Sequence, residues 1–273
     1  MKTYNISLDS LSALADIAEK ADPSDMSRNK DVKFSSCTFE QALSFARKGW
    51  PDGARKAKDI LAQIIDKIPE LRSDSPTGTY LDVSGSYVDI GEYVNGSPEC
   101  MVNFQEDKRA TRFMHIVVSA SYSGYFPIES AINRGVAIAA IIDILESRNI
   151  RCEVDLIMCA GAPNGDKAFI SLPIKQAHHP LNLDTLTFGI AHPAYLRRLI
   201  FAVMEGQSAK FRSDFSVAPF GGYGRPIQPP AEPGPTTLVF PTPFPDEDWS
   251  IPAAIERTLS ALKPVLGDLP CAT

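Results

Sequence analysis

Apolar residues in the first part of the chain recur at helical spacing. Ile6, Leu8, Leu11, Leu14 and Ile17 predict an amphipathic helix over 5–21. Asp22-Pro23 ends it, because proline disfavours helical backbone in the residue before it. Thr38 and Gln41 stand three apart, the spacing of a capping box, ahead of Ala42, Leu43 and Ala46, and Gly49 closes that second helix. Trp50-Pro51 opens a third, with Ala54, Ala57, Leu61, Ile64, Ile65 and Ile68 on one face and Pro69 beyond it. The pattern over residues 1–72 predicts helices and no strand.

The pattern changes at the turn-forming cluster Ser73-Asp74-Ser75-Pro76-Thr77-Gly78. Short runs rich in β-branched and apolar residues predict strands at 113–119, 152–158, 168–174 and 237–240. Between them, 128–148 reads as a helix apolar on most sides, with Asn149 placed for a left-handed C-cap. A helix with Pro193 in its first turn runs to Glu205, a Gly- and Pro-rich loop covers 207–235, and a last helix spans 251–262. This alternation predicts an α/β fold, three-layer α/β/α with a mostly parallel sheet, over 77–273. The helical segment 1–72 is expected to pack onto it.

Composition agrees with a folded globular chain. Of 273 residues, 44% are hydrophobic and 22% charged, which excludes disorder throughout. No apolar run reaches the roughly 20 residues of a membrane-spanning helix, and the N-terminus lacks the apolar stretch of a secretory signal. A net charge of −6 lowers the expectation of duplex binding, which draws on a basic face. The densest basic segment holds Arg47, Lys48, Arg55, Lys56 and Lys58 around Trp50. Cations interleaved with an aromatic can bind single-stranded nucleic acid; the plainer alternative is a solvated helix face with the Trp in the core. The five cysteines are odd in number and form no C-x-x-C pair, so they read as reduced thiols of a cytoplasmic protein.

In an open parallel sheet, ligands bind beyond the carboxyl ends of the strands. That rule selects Ser119-Ala120-Ser121-Tyr122-Ser123-Gly124, followed by a helix carrying Asn133 and Arg134. From 115 to 158 the run HIVVSASYSG, ESAINRGVAIAAIIDILESRNI, RCEVDLIM resembles the von Willebrand factor A family, in which an apolar strand, an Asp-x-Ser-x-Ser metal loop, an Ala-rich helix and a second strand follow in order. Ser121 and Ser123 match the two serines, while Ser119 stands in place of the aspartate. The resemblance implies a Rossmann-like scaffold whose strand-end surface holds a protein partner, in some relatives beside an ATPase. The missing carboxylate removes the anionic oxygen that a hard cation needs, so no cofactor is expected there.

A literal copy of the metal pattern occurs as Asp82-Val83-Ser84-Gly85-Ser86. Asp82, Ser84 and Ser86 are therefore an alternative Mg2+ site, and with Asp89 they carry an alternative reading as a divalent-metal enzyme. A turn with hydroxyl caps accounts for the same residues. His178-His179 reads as loop histidines, with a metal pair the alternative, His192 as a helix cap before Pro193, and Arg197 and Arg198 as partners of Glu205 or Asp184, with a phosphate the alternative. No Walker or nucleophile-elbow motif is present.

Gly49-Trp50-Pro51-Asp52-Gly53, Val88-Asp89-Ile90-Gly91, Gly96-Ser97-Pro98-Glu99-Cys100-Met101, Asn133-Arg134-Gly135 and Ala191-His192-Pro193 with Leu196-Arg197-Arg198 together resemble an uncharacterised family carried by tailed bacteriophages. That resemblance implies a phage setting and the host cytoplasm. The expectation is a non-catalytic interaction module whose partner is a phage or host protein. Single-stranded nucleic-acid binding is the first alternative and metal-dependent catalysis the second.

Overall fold

The computed structural model describes residues 1–22, 25–67, 79–85, 87–104, 112–217 and 222–266. The chain begins with strand β1 (Thr3–Ser7), then α1 (Leu11–Glu19), α2 (Met26–Asn29), a 3-10 turn (Val32–Phe34), α3 (Phe39–Lys48) and α4 (Pro51–Lys67). A small unit follows: β2 (Thr79–Asp82), β3 (Tyr87–Val88), α5 (Ile90–Val94) and β4 (Met101–Phe104). The central run is β5 (Arg112–Ser119), α6 (Ile128–Ser147), β6 (Ile150–Gly161), β7 (Lys167–Lys175) and α7 (Leu183–Ala191). A π-helical turn (Tyr195–Ile200), α8 (Phe201–Glu205), α9 (Ala209–Asp214), β8 (Arg225–Pro226), β9 (Thr237–Phe240) and α10 (Ile251–Leu266) complete it.

This is the expected α/β fold, a mostly parallel central sheet flanked by helices. Strand order is β1-β7-β6-β5-β9, with β8 extending onto β6. The pairs β1/β7, β5/β6 and β5/β9 are parallel, whereas β6/β7 and β6/β8 are antiparallel. Residues 115–158 form the expected β–α–β crossover at the middle of the sheet. The small unit has its own antiparallel sheet, β2-β4-β3.

Helix α6 explains its own apolar surface. One side packs on β6 and the others meet α4, α7 and α10, so Val136, Ala137, Ile138, Ile141, Ile142 and Leu145 are all buried. A helix enclosed over most of its surface has little polar face to show. At Gly135 a Cβ would lie 2.3 Å from the Ala191 Cα, so glycine is what permits α6 and α7 to cross this closely. Along β6 the alternation is strict: Cys152, Val154, Leu156 and Met158 face the core while Glu153, Asp155 and Ile157 are half-buried.

Three expectations need correction. Residues 5–21 are not one helix: Thr3–Ser7 alternates polar and apolar side chains and adds a parallel edge strand against β7, so the N-terminal segment is part of the sheet. The strand pair 152–158 and 168–174 is a hairpin, because Gly161 to Lys167 is too short for the crossover that parallel strands require. The 207–235 segment holds α9 and β8, and α7 was missed beside the helix expected from Pro193. By contrast, the Thr38/Gln41 capping box forms with both hydrogen bonds, and Asn149 takes the left-handed conformation at φ 60°.

Candidate functional site

The carboxyl ends of β5 and β9 lie side by side, since Val118 pairs with Phe240 in parallel register. One buried cation joins them. The Arg134 guanidinium reaches up from the first turns of α6 and donates to the Ser119 carbonyl (3.2 Å), the Phe240 carbonyl (3.3 Å) and the Pro241 carbonyl (2.8 Å). Its acceptors are neutral, and burial lowers its pKa to about 10. Ser119 adds a hydroxyl contact to Thr242 (2.6 Å), whose hydroxyl also donates to the Ile227 carbonyl (2.8 Å). Ser121 continues the β5 edge, its hydroxyl donating to the Cys159 carbonyl (3.0 Å) and accepting from the Cys159 N–H (2.6 Å). Asn133 donates to the Trp249 carbonyl (3.1 Å) and anchors the start of α10.

The serine bend is therefore not an exposed metal loop. Ser119 and Ser121 are buried, and their hydroxyls close internal hydrogen bonds that an incoming ligand would have to break. Only Ser123 lies toward the surface, where it accepts from the Tyr125 N–H (3.3 Å). Sequence spacing places Ser119 and Ser121 within reach of each other, but it does not show which way a hydroxyl points once a strand ends.

Beneath the bend is a small enclosed space, on the order of one water molecule, lined among others by Tyr122, Phe126, Arg134, His192 and Tyr195. Burial pushes the Tyr122 hydroxyl up to about 12, partly countered by the Arg197 guanidinium 5.3 Å from its ring. His192 is also buried. Its Nδ1 accepts from the Ala194 N–H (3.1 Å), the helix-capping role expected for it, and its ring sits edge-on to Trp50 at 4.6 Å. Burial, with Lys56 nearby, lowers its pKa to about 4, so the imidazole is neutral near pH 7. Arg197 and Arg198 do not meet Glu205 or Asp184. Arg197 donates to the Phe34 carbonyl, and the fully buried Arg198 donates to the Ser35 hydroxyl and to the carbonyls of Ser27, Lys30, Asp31 and Cys37. It fixes the segment carrying α2 and the 3-10 turn onto the π-helical turn.

The basic segment separates into two environments. Trp50 is buried against His192, while Lys48, Lys56 and Lys58 point outward and Arg47 pairs with Asp16 and Glu19. Arg55 pairs with Asp52 at 3.2 Å. With its aromatic withdrawn into the core, this face presents charge and no stacking platform, which is the plainer of the two sequence readings. At the alternative metal pattern, Asp82 accepts from the Val83 N–H and the Ser84 carbonyl accepts from Asn103. Ser86 lies outside the described residues. His178 and His179 occupy an exposed turn, and among the described residues no group of three or more His, Cys, Asp or Glu is placed to hold a metal ion. His115 pairs with Asp155 across adjacent strands at 2.9 Å. Burial pushes the Cys37 thiol up to about 11 and those of Cys152 and Cys159 to about 12, which makes them unreactive core thiols.

Two residues that the sequence reading passed over stand out at this rim. Tyr125 is 92% exposed in the bend after β5, and Phe244 is 51% exposed in the bend after β9. Their neighbours carry the available signal: Gly124 and Pro127 around one, Pro243 and Pro245 around the other. Turn-formers place an aromatic on a loop but do not decide its exposure: Phe126, between the same Gly124 and Pro127, is buried.

Comparison with known proteins returns a family model that matches residues 1–263, described as a domain of unknown function (DUF7192), and the chain belongs to that family. Neither the curated proteins nor the solved structures contain a match.

Proposed function

We propose that this member of the family is a protein-interaction module that binds its partner at the carboxyl-end rim of β5 and β9. The observation that carries the reading is the pair of outward aromatics, Tyr125 and Phe244, mounted on two bends that Arg134, Ser119 and Thr242 lock together. Aromatic side chains dominate binding hot spots because they bury a large area with few rotors. A frame fixed before binding avoids the ordering cost of a mobile loop, so more of that burial appears as affinity. On this reading the serine bend has kept the position of a strand-end binding loop, and its hydroxyls stiffen the rim from inside.

The test is quantitative co-purification from the native cells with tagged full-length chain and the double variant Tyr125→Ala/Phe244→Ala. Both positions are exposed, so the variant should fold as the parent does. A stoichiometric partner that is retained by the parent and lost from the variant supports the reading. Retention of the same partner by the variant overturns it.

A further inference from the structure

The small unit between Thr79 and Phe104 differs in its surface from the rest of the chain. Half of the large apolar side chains exposed among the described residues, seven of fourteen, lie between Leu81 and Val94. Scattered exposed apolar residues are ordinary, whereas a concentration of this kind marks a contact surface. The clearest part is α5. Ile90, Tyr93 and Val94 are 76%, 67% and 75% exposed, and their spacing of three and four places them on one side of the single turn. Asp89 accepts from the Gly91 and Glu92 N–H groups, so the turn is held in helical form and its apolar side stays presented. Tyr87 and Val88 on β3, directly before it, are also exposed.

Charge decides what this surface fits. Between Thr79 and Phe104 the sequence holds Asp82, Asp89, Glu92 and Glu99 and no Lys, Arg or His, a formal charge of −4 in a chain of −6. Every charged side chain within 79–104 is a carboxylate, a balance that disfavours nucleic acid and anionic lipid surfaces. A second copy of the same unit would bring its own four carboxylates against these. The complement is apolar on one side and basic at its edges.

We propose that the 79–104 unit is a docking surface for a basic amphipathic segment of another protein, seated on Ile90, Tyr93 and Val94 with its Lys or Arg residues toward Glu92 and Glu99. The apolar contact supplies affinity and the carboxylates supply orientation and rate of encounter. The residues of this surface are none of those proposed for the β5–β9 rim, so variants at each test the two readings independently.

The test uses the full chain and fluorescently labelled peptides about five helical turns long, one of Leu and Lys at amphipathic spacing and a matched one of Leu and Glu. The Leu–Lys peptide is expected to bind, with affinity that falls as salt is raised. Ile90→Asp/Tyr93→Asp, at exposed positions that leave the core untouched, should weaken it by at least about tenfold. Glu92→Lys/Glu99→Lys should weaken it and admit the Leu–Glu peptide, while Tyr125→Ala/Phe244→Ala should leave binding unchanged. Equal binding by the Ile90→Asp/Tyr93→Asp variant overturns the proposal, as does equal binding of both peptides by the parent. Sedimentation of the parent as a dimer that this variant dissociates overturns it in favour of self-association.

Discussion

Replacing His192 by Asn should remove a defined portion of the protein's acid sensitivity. The His192 ring is 6% exposed and packed among Phe45, Trp50 and Phe188, with Lys56 as the charge acting on it. Burial therefore penalises the imidazolium, and the pKa falls from 6.5 to about 4. A base depressed in the folded state binds its proton more readily when unfolded. Its contribution to stability is thus intact above pH 6.5 and is lost as pH falls toward 4. The interval between those values corresponds to about 3 kcal/mol, and by pH 4.5 about 2.5 kcal/mol of it should be gone. Half-buried Asp143 and buried Glu205 complicate the raw profile. Desolvation raises both their pKa values, so they contribute in the opposite sense, adding stability as pH falls. The variant isolates the histidine. Asn can still accept from the Ala194 N–H but does not titrate, so His192→Asn should start less stable at neutral pH and lose less on acidification. Urea unfolding of both proteins at steps between about pH 7 and pH 4.5 measures the difference. A gap that narrows by about 2.5 kcal/mol supports the reasoning. A gap that stays constant across the range refutes it, because the imidazole would then be accepting its proton without penalty in the fold.

Two further substitutions test the buried polar framework. Arg198→Lys keeps the charge but replaces a planar five-donor fork with three donors at one nitrogen, so at least two of its five acceptors lose their partner. It should destabilise the fold by about 2–4 kcal/mol, lowering the thermal midpoint by several degrees, and a neutral result would show that water reaches those carbonyls. Lys175 and Glu146 form a buried pair at 2.6 Å, 4% and 8% exposed, joining the end of α6 to β7. Lys175→Met leaves Glu146 an under-compensated buried charge and should cost about 3–5 kcal/mol. The double variant Glu146→Gln/Lys175→Met should be the more stable of the two in denaturant titrations, and simple additivity would contradict the pairing.

Much of the architecture was legible because local chemistry and tertiary context agree. Thr38 and Gln41 cap α3 by contacts within four residues, and Asn149 turns the chain where α6 must stop to feed β6. The 128–148 segment is apolar on most sides because it is enclosed over most of its surface, and that enclosure can be inferred from the pattern alone. The failures came where a short signal was outweighed by a longer one. Ile6 and Leu8 fit a helical series with Leu11 and Leu14, yet Tyr4 and Ile6 also fit strand alternation, and the vacant edge of β7 decides between them. Periodicity cannot report a vacant edge, since β7 lies more than 150 residues away.

The same distinction governs the rim. Residue types at 119, 121 and 123 are those of a ligand-binding loop, but a hydroxyl is equally suited to completing a hydrogen bond left open where a strand ends. What settles the matter is Thr242 beside Ser119 and the Cys159 backbone beside Ser121, partners brought by β9 and by the far end of β6. Arg134 carries the same lesson further. In the sequence it is a binding candidate on the helix after the serine bend, and in the fold it is buried where three carbonyls from β5, β9 and the bend after β9 converge on it. Ser119, Ser121, Asn133 and Arg134 are thus part of the frame, and the surface they support is aromatic. A search for ionisable clusters passes over such a surface, because Tyr125 and Phe244 carry no charge and belong to no periodic run. Turn-formers on either side place them on loops, but Phe126 and Tyr223 share that setting and are buried, so the fold supplies the exposure. That exposure gives Tyr125 and Phe244 a better claim on a partner than Ser119 and Ser121, whose hydroxyls close bonds inside the frame.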